Sequence, residues 1–96
     1  MQIEKKKIIV ACGGAVATST VAANSVRALC KGQGLDVEIV QCRVSEIGSH
    51  IHGASLIVAT SKVSKDYGVP FISGMPFISG VGVVETEKAI LDVLKA

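Results

Sequence analysis

The string Cys12-Gly13-Gly14-Ala15-Val16-Ala17-Thr18-Ser19 is where this chain concentrates its capacity for chemistry. Glycines let a backbone turn successive N–H groups inward, and such a nest, continued into a helix N-terminus, carries partial positive charge. The side chains that follow are small enough to leave room for an anion the size of phosphate, and Thr18 and Ser19 add hydroxyl donors. Free cysteine is often plain core material. A thiol where those donors converge is instead expected to ionise below the reference pKa of about 8.5. A thiolate aimed into a phosphate-sized cradle is a nucleophile toward phosphorus. The charge pattern suits that use, because residues 13–35 contain no Asp or Glu. No carboxylate there repels a phosphoryl group of roughly −1.5 to −2 charge. The same stretch lacks the oxygen ligands a hard cation needs, so neither a metal nor another cofactor is expected.

These residues act only if the fold brings them together. Residues 6–11 are a short Ile/Val-rich run closed by Gly13-Gly14, the pattern of a strand buried on both faces of a parallel sheet. A helix follows, with Ala22, Val26, Leu29 and Cys30 on one apolar stripe and Asn24, Arg27 and Lys31 off it. Thr18, Ser19 and Thr20 offer cap hydroxyls, and Gly32 with Gly34 supplies the stop. Residues 37–40, 55–60 and 70–73 read as further strands, with a short helix or turn over 45–50. In the last helix Glu85, Lys88, Asp92 and Lys95 oppose Val83, Ile90, Val93 and Leu94. Strands separated by such segments call for right-handed parallel connections. The expected fold is one α/β domain over residues 1–96, a three-layer sandwich whose four-stranded parallel sheet is flanked by helices. Ligands of open parallel sheets bind beyond the carboxyl ends of the strands. Segments 12–19, 41–45 and 61–68 should therefore meet at that edge.

Composition narrows the class. Hydrophobic residues are 49% of the 96, which excludes intrinsic disorder. The apolar runs fall well short of the roughly 20 residues of a membrane span, and the run after Lys5-Lys6-Lys7 is too short for a signal peptide. A net charge of +2 with one Tyr, two Phe and no Trp argues against a nucleic-acid partner. Three cysteines without paired spacing argue against a disulfide framework and for a reducing cytosol. Cys30 lies on the apolar stripe and reads as core. Cys42 ends a strand near Cys12, where packing is favoured over a redox role. His50 and His52 lack a third ligand and read as surface residues. Lys62 and Lys65 could steer an acidic partner face toward the edge.

A phosphatase loop of the Cys-x5-Arg kind carries an arginine six positions after its cysteine. Here that position is Thr18, the loop holds no arginine, and no Asp-Pro pair occurs to serve as a general acid. Losing such an arginine costs orders of magnitude in rate, so the loop reads as built to hold a phosphocysteine and pass it on. A small cysteine phosphatase and a non-catalytic phosphate-sensing module remain the alternatives. A receiver domain is disfavoured, because the third strand ends at Thr60 where a phospho-accepting Asp would stand.

Ile8-Ile9-Val10-Ala11-Cys12-Gly13-Gly14-Ala15-Val16-Ala17-Thr18-Ser19, Gln41-Cys42-Arg43-Val44 and Gly74-Met75-Pro76-Phe77-Ile78-Ser79-Gly80-Val81-Gly82 together resemble the enzyme IIB component of the bacterial phosphoenolpyruvate-dependent sugar phosphotransferase system, nearest to its galactitol-specific type. The resemblance spans nearly the whole chain. It implies a phosphotransferase with a four-stranded parallel sheet and flanking helices. It implies phosphorylation of Cys12 by the phosphohistidine of an A component, within a cradle running from Gly13 to Ser19. The phosphoryl group would then pass to a sugar or polyol, galactitol by nearest resemblance, bound in a membrane-embedded C component. It also implies a cytoplasmic protein, peripherally associated with the membrane through that C component. The segment from Gly74 to Gly82 would face a partner or support the loop.

Overall fold

The structure, a computed structural model, describes residues 6–13, 16–63 and 66–95, with residues 16–19 described by their backbone alone. The first strand, β1 (Lys6–Cys12), is the spine of the fold. Ile8, Ile9, Val10 and Ala11 are fully buried, which explains why this run is continuously apolar rather than alternating. It is followed by α1 (Val16–Gly32), β2 (Val37–Arg43), a 3-10 turn (Val44–Glu46), α2 (Ile47–His50) and β3 (Ala54–Ala59). The chain closes with β4 (Phe71–Ser73), α3 (Met75–Ser79) and α4 (Val83–Lys95). All strand pairs are parallel, in the order β2-β1-β3-β4. Among the described residues no helix is long and apolar enough to cross a membrane.

The strand order dictates the layers. The chain moves one way across the sheet from β1 to β2 and back past β1 to β3, so right-handed crossovers place α1 and α2 on opposite faces. The two faces bury separate clusters. On one face Ala22, Ala23, Val26 and Cys30 of α1 and Ile90 and Leu94 of α4 pack on Ile8, Val10, Leu56 and Val58. On the other, Ile47 of α2 packs on Ile9, Ala11, Ile57 and Ala59, with Val63, Tyr67 and Val69 closing the layer. The expected three-layer α/β sandwich is the observed one.

Three local features differ from expectation. The helix α1 already runs from Val16, so Thr18, Ser19 and Thr20 lie inside its first turns and not at its cap. The small residues ahead of them let the helix begin earlier. β2 continues beyond residue 40 to Arg43, because its register with β1 holds from Lys6↔Val37 through Cys12↔Arg43. Residues 75–79, read as part of a glycine-rich connection, form α3. Pro76 stands in its first turn, where a missing N–H costs nothing. Gly80 ends it at φ 79°, a left-handed cap that glycine adopts without strain, and its N–H donates to the Pro76 carbonyl at 2.8 Å.

Candidate functional site

The order β2-β1-β3 reverses direction at β1, and in open parallel sheets that switch point is where a crevice opens. Two contacts pin its floor. The Thr60 N–H donates to the Ala11 carbonyl at 3.0 Å, and its hydroxyl donates to the same oxygen at 3.4 Å. Beyond them the chain turns at Gly13, packed hard against Ser61. A methyl group built at residue 13 would stand 2.5 Å from Ser61 Oγ and 3.2 Å from its Cβ. Any larger residue here would have to displace the Ser61 side chain.

A cleft of about 690 Å³ opens at this edge, lined by Gly13, Arg43, Val44, Ser45, Ser61 and Lys62. The three segments expected to converge each contribute to it. The 3-10 turn is held in place by Glu46, whose carboxylate accepts the Arg43 backbone N–H at 2.9 Å. α1 is tied to the neighbouring strand where Gln41 Nε2 donates to Thr20 Oγ1 at 3.1 Å.

Cys12 is the last residue of β1, immediately before the cleft-lining Gly13. It does not itself line the cleft and is 2% exposed, yet it belongs to neither aliphatic cluster. Its neighbour Gly13 is open to solvent. The helix α1 begins at Val16 with no acidic residue in its first turn, so the strand–turn–helix order expected around the cysteine is present. Gly14 and Ala15 of the expected cradle lie outside the described residues, as do the side chains of Val16, Ala17, Thr18 and Ser19, and Lys65.

The other cysteines have different environments. Burial pushes the Cys30 thiol up, in keeping with its place among the aliphatics of α1. The Cys42 thiol is also raised, first by burial and then by the Glu46 carboxylate and the Cys12 sulfur nearby. In both, the shift favours the protonated thiol. Among the described residues no cluster of metal-ligating side chains occurs, and the backbone carbonyl of His52 accepts a bond from Lys7 Nζ at 3.1 Å.

Gly74 is buried beside the site. Its N–H donates to the Ala59 carbonyl at 2.8 Å, and a methyl group there would meet Val58 Cγ1 at 2.9 Å. The segment from Gly74 to Gly82 thus begins as a support for the end of β3. It then exposes Met75 and Val81 on the surface.

Arg43, Val44, Ser45 and Ser61 line the cleft, and the sequence alone assigns none of them a role of its own there. All four fall within segments placed at the sheet edge. The loop holds no arginine, whereas Arg43 stands on the adjacent strand in register with Cys12.

A family model described as "PTS system, Lactose/Cellobiose specific IIB subunit" matches residues 7–89. The chain belongs to the phosphotransferase-system IIB family. It is 50% identical over 92 residues to the galactitol-specific EIIB component of Escherichia coli K12, covering 95% of this chain and 98% of that one. The corresponding component of Shigella flexneri is 49% identical over the same length. In fold, the chain is similar to the lactose-specific IIB domain of Streptococcus pneumoniae, with a TM-score of 0.62 at 18% identity over 96% of this chain and 97% of that one. It is also similar to an enzyme IIB subunit of Escherichia coli K12, with a TM-score of 0.55 at 18% identity over 98% and 100%. This IIB component is thus a phosphotransferase, a phosphocarrier in sugar phosphotransfer that works with an A component and a membrane C component.

Proposed function

We propose that this IIB component takes a phosphoryl group from a phosphohistidine of its A component onto Cys12 and delivers it to galactitol bound by its membrane C component. The 96 residues act as one domain, on the cytoplasmic side of the membrane. The observation that carries this reading is the cleft at the switch point, where the residue after Cys12 meets the ends of β2 and β3. In the first half-reaction the thiolate attacks phosphorus in line, while main-chain amides from Gly13 onward take up charge on the equatorial oxygens. In the second, the polyol hydroxyl attacks the phosphocysteine and the thiolate leaves. Galactitol is favoured by the near-full-length identity to galactitol-specific components. Family membership leaves the phosphatase and the phosphate sensor without support.

The test is mass spectrometry after incubation with phosphoenolpyruvate, the upstream phosphocarriers and the A component. Trypsin separates the cysteines onto three peptides, with Cys12 on residues 8–27, Cys30 on 28–31 and Cys42 on 32–43. One added phosphoryl group on peptide 8–27 is expected. Phosphate on either of the other two, or on none, refutes the assignment. Membranes bearing the C component should then discharge it with galactitol in preference to other polyols.

A further inference from the structure

Among the described residues that line the cleft, two are cations, Arg43 and Lys62, and none is a carboxylate. Arg43 enters from the end of β2 and Lys62 from beyond β3, with Gly13 between them in the sheet order. Register sets Arg43 directly beside Cys12 on the neighbouring strand, at the roughly 4.8 Å spacing of paired strands. The Arg43 backbone is held by its N–H bond to Glu46 Oε1 at 2.9 Å. That bond takes one oxygen of the carboxylate, and Glu46 is not among the residues lining the cleft. Arg43 itself is exposed, and among the described residues no ion pair engages its guanidinium.

A phosphoryl group brings roughly −1.5 to −2 charge to wherever it is held. Main-chain amides offer only partial charges, whereas a guanidinium fork matches two phosphate oxygens at once. In a Cys-x5-Arg loop that fork comes from the loop. Here the equivalent position is Thr18, and the arginine in register with the cysteine belongs to the adjacent strand.

Building on the assignment of Cys12 as the phosphorylated residue, we propose that Arg43 is the phosphoryl clamp of this site. Its guanidinium binds two oxygens of the group in flight and at rest on sulfur, with the Lys62 ammonium as a second, weaker cation across the cleft. The clamp changes no bond count. On loading, the sulfur lone pair forms the S–P bond as the N–P bond breaks and its electron pair returns to the imidazole nitrogen. On delivery, the hydroxyl oxygen forms the O–P bond, the S–P pair returns to sulfur, and the hydroxyl proton leaves to a base on the acceptor side. Arg43 stays protonated throughout.

The experiment compares wild type, Arg43→Gln, Arg43→Lys and Lys62→Gln in single-turnover loading at saturating phosphorylated A component, in low salt and near 1 M salt. The clamp predicts a loss of about 10²-fold in Arg43→Gln, partial recovery in Arg43→Lys and a smaller loss in Lys62→Gln. The Arg43→Gln defect should persist at high salt, where exposed charges more than about 3 Å apart are screened. Titration with inorganic phosphate, followed by the amide signal of Gly13, should show binding weakened at least about fivefold in Arg43→Gln. Loading of Arg43→Gln at the wild-type rate overturns the clamp, and so does a defect that vanishes at saturating donor or in salt, which would make Arg43 a steering charge. Wild type that loads a peptide other than 8–27 overturns the Cys12 assignment and the clamp with it. Arg43 is exposed, so its variants should fold. Should Arg43→Gln not give a native amide spectrum, Arg43→Lys alone decides, because a clamp requires a slowed rate at retained charge.

Discussion

The two faces of the sheet are unequal. Counting the described residues only, one is covered by α1 and α4 and buries ten in one continuous cluster. The other is covered by the four-residue α2, the 3-10 turn and the chain between β3 and β4, and buries five. The thick face supplies most of the apolar burial that stabilises the fold. The thin face supplies the 3-10 turn whose Val44 and Ser45 line the cleft. This division leaves the cleft bordered by a short turn instead of a long helix on that side.

The largest effect expected is functional. Cys12→Ala should abolish phosphoryl uptake, read as the absence of the mass increment on peptide 8–27, while the far-ultraviolet spectrum stays native. Next come substitutions that set the faces against each other. Leu94→Ala on the thick face and Ile47→Ala on the thin face each remove a side chain at most 1% exposed, and each should cost about 2–5 kcal/mol in urea unfolding. Only Ile47→Ala should also slow loading under native conditions, because α2 continues the turn that lines the cleft. Equal slowing in both would remove the distinction drawn here.

Smaller effects attend the glycines. Gly74→Ala forces a methyl to within 2.9 Å of Val58 Cγ1 and should destabilise by about 1–3 kcal/mol. Gly13→Ala meets Ser61 Oγ at 2.5 Å. It should slow loading with a loss of about 1 kcal/mol in stability, and Ser61→Gly in the same chain should restore much of the rate. The smallest effect is alkaline. Cys30 and Cys42 are raised above the ordinary thiol value of 9.0, so above that pH the unfolded chain loses protons that the folded chain keeps. Stability is then full below 9.0 and declines as pH rises through the folded values. Cys30→Ala should flatten that decline when unfolding midpoints are compared between pH 8 and pH 10.

Much of this arrangement is legible in the residues. The uninterrupted Ile8-Ile9-Val10-Ala11 run marks a central strand, and the polar face of α4 marks its surface side. The convergence of three strand ends follows from parallel topology alone. Two things are not legible. α3 is hidden because its helix signals, Pro76 and Gly80, are also the commonest loop residues. Arg43 is hidden because partnership across strands depends on register, and a shift of one residue would place a different side chain beside Cys12. A local pattern can say that a nucleophilic loop lacks its arginine. It cannot say which neighbouring strand supplies one.

The burial of Cys12, 2% exposed, bears on timing. An energy-rich bond must survive the wait between two encounters, and bulk water is always the most abundant competing acceptor. On the proposed assignment, a strand that stops at so little exposed a residue slows that leak by leaving water little surface to approach.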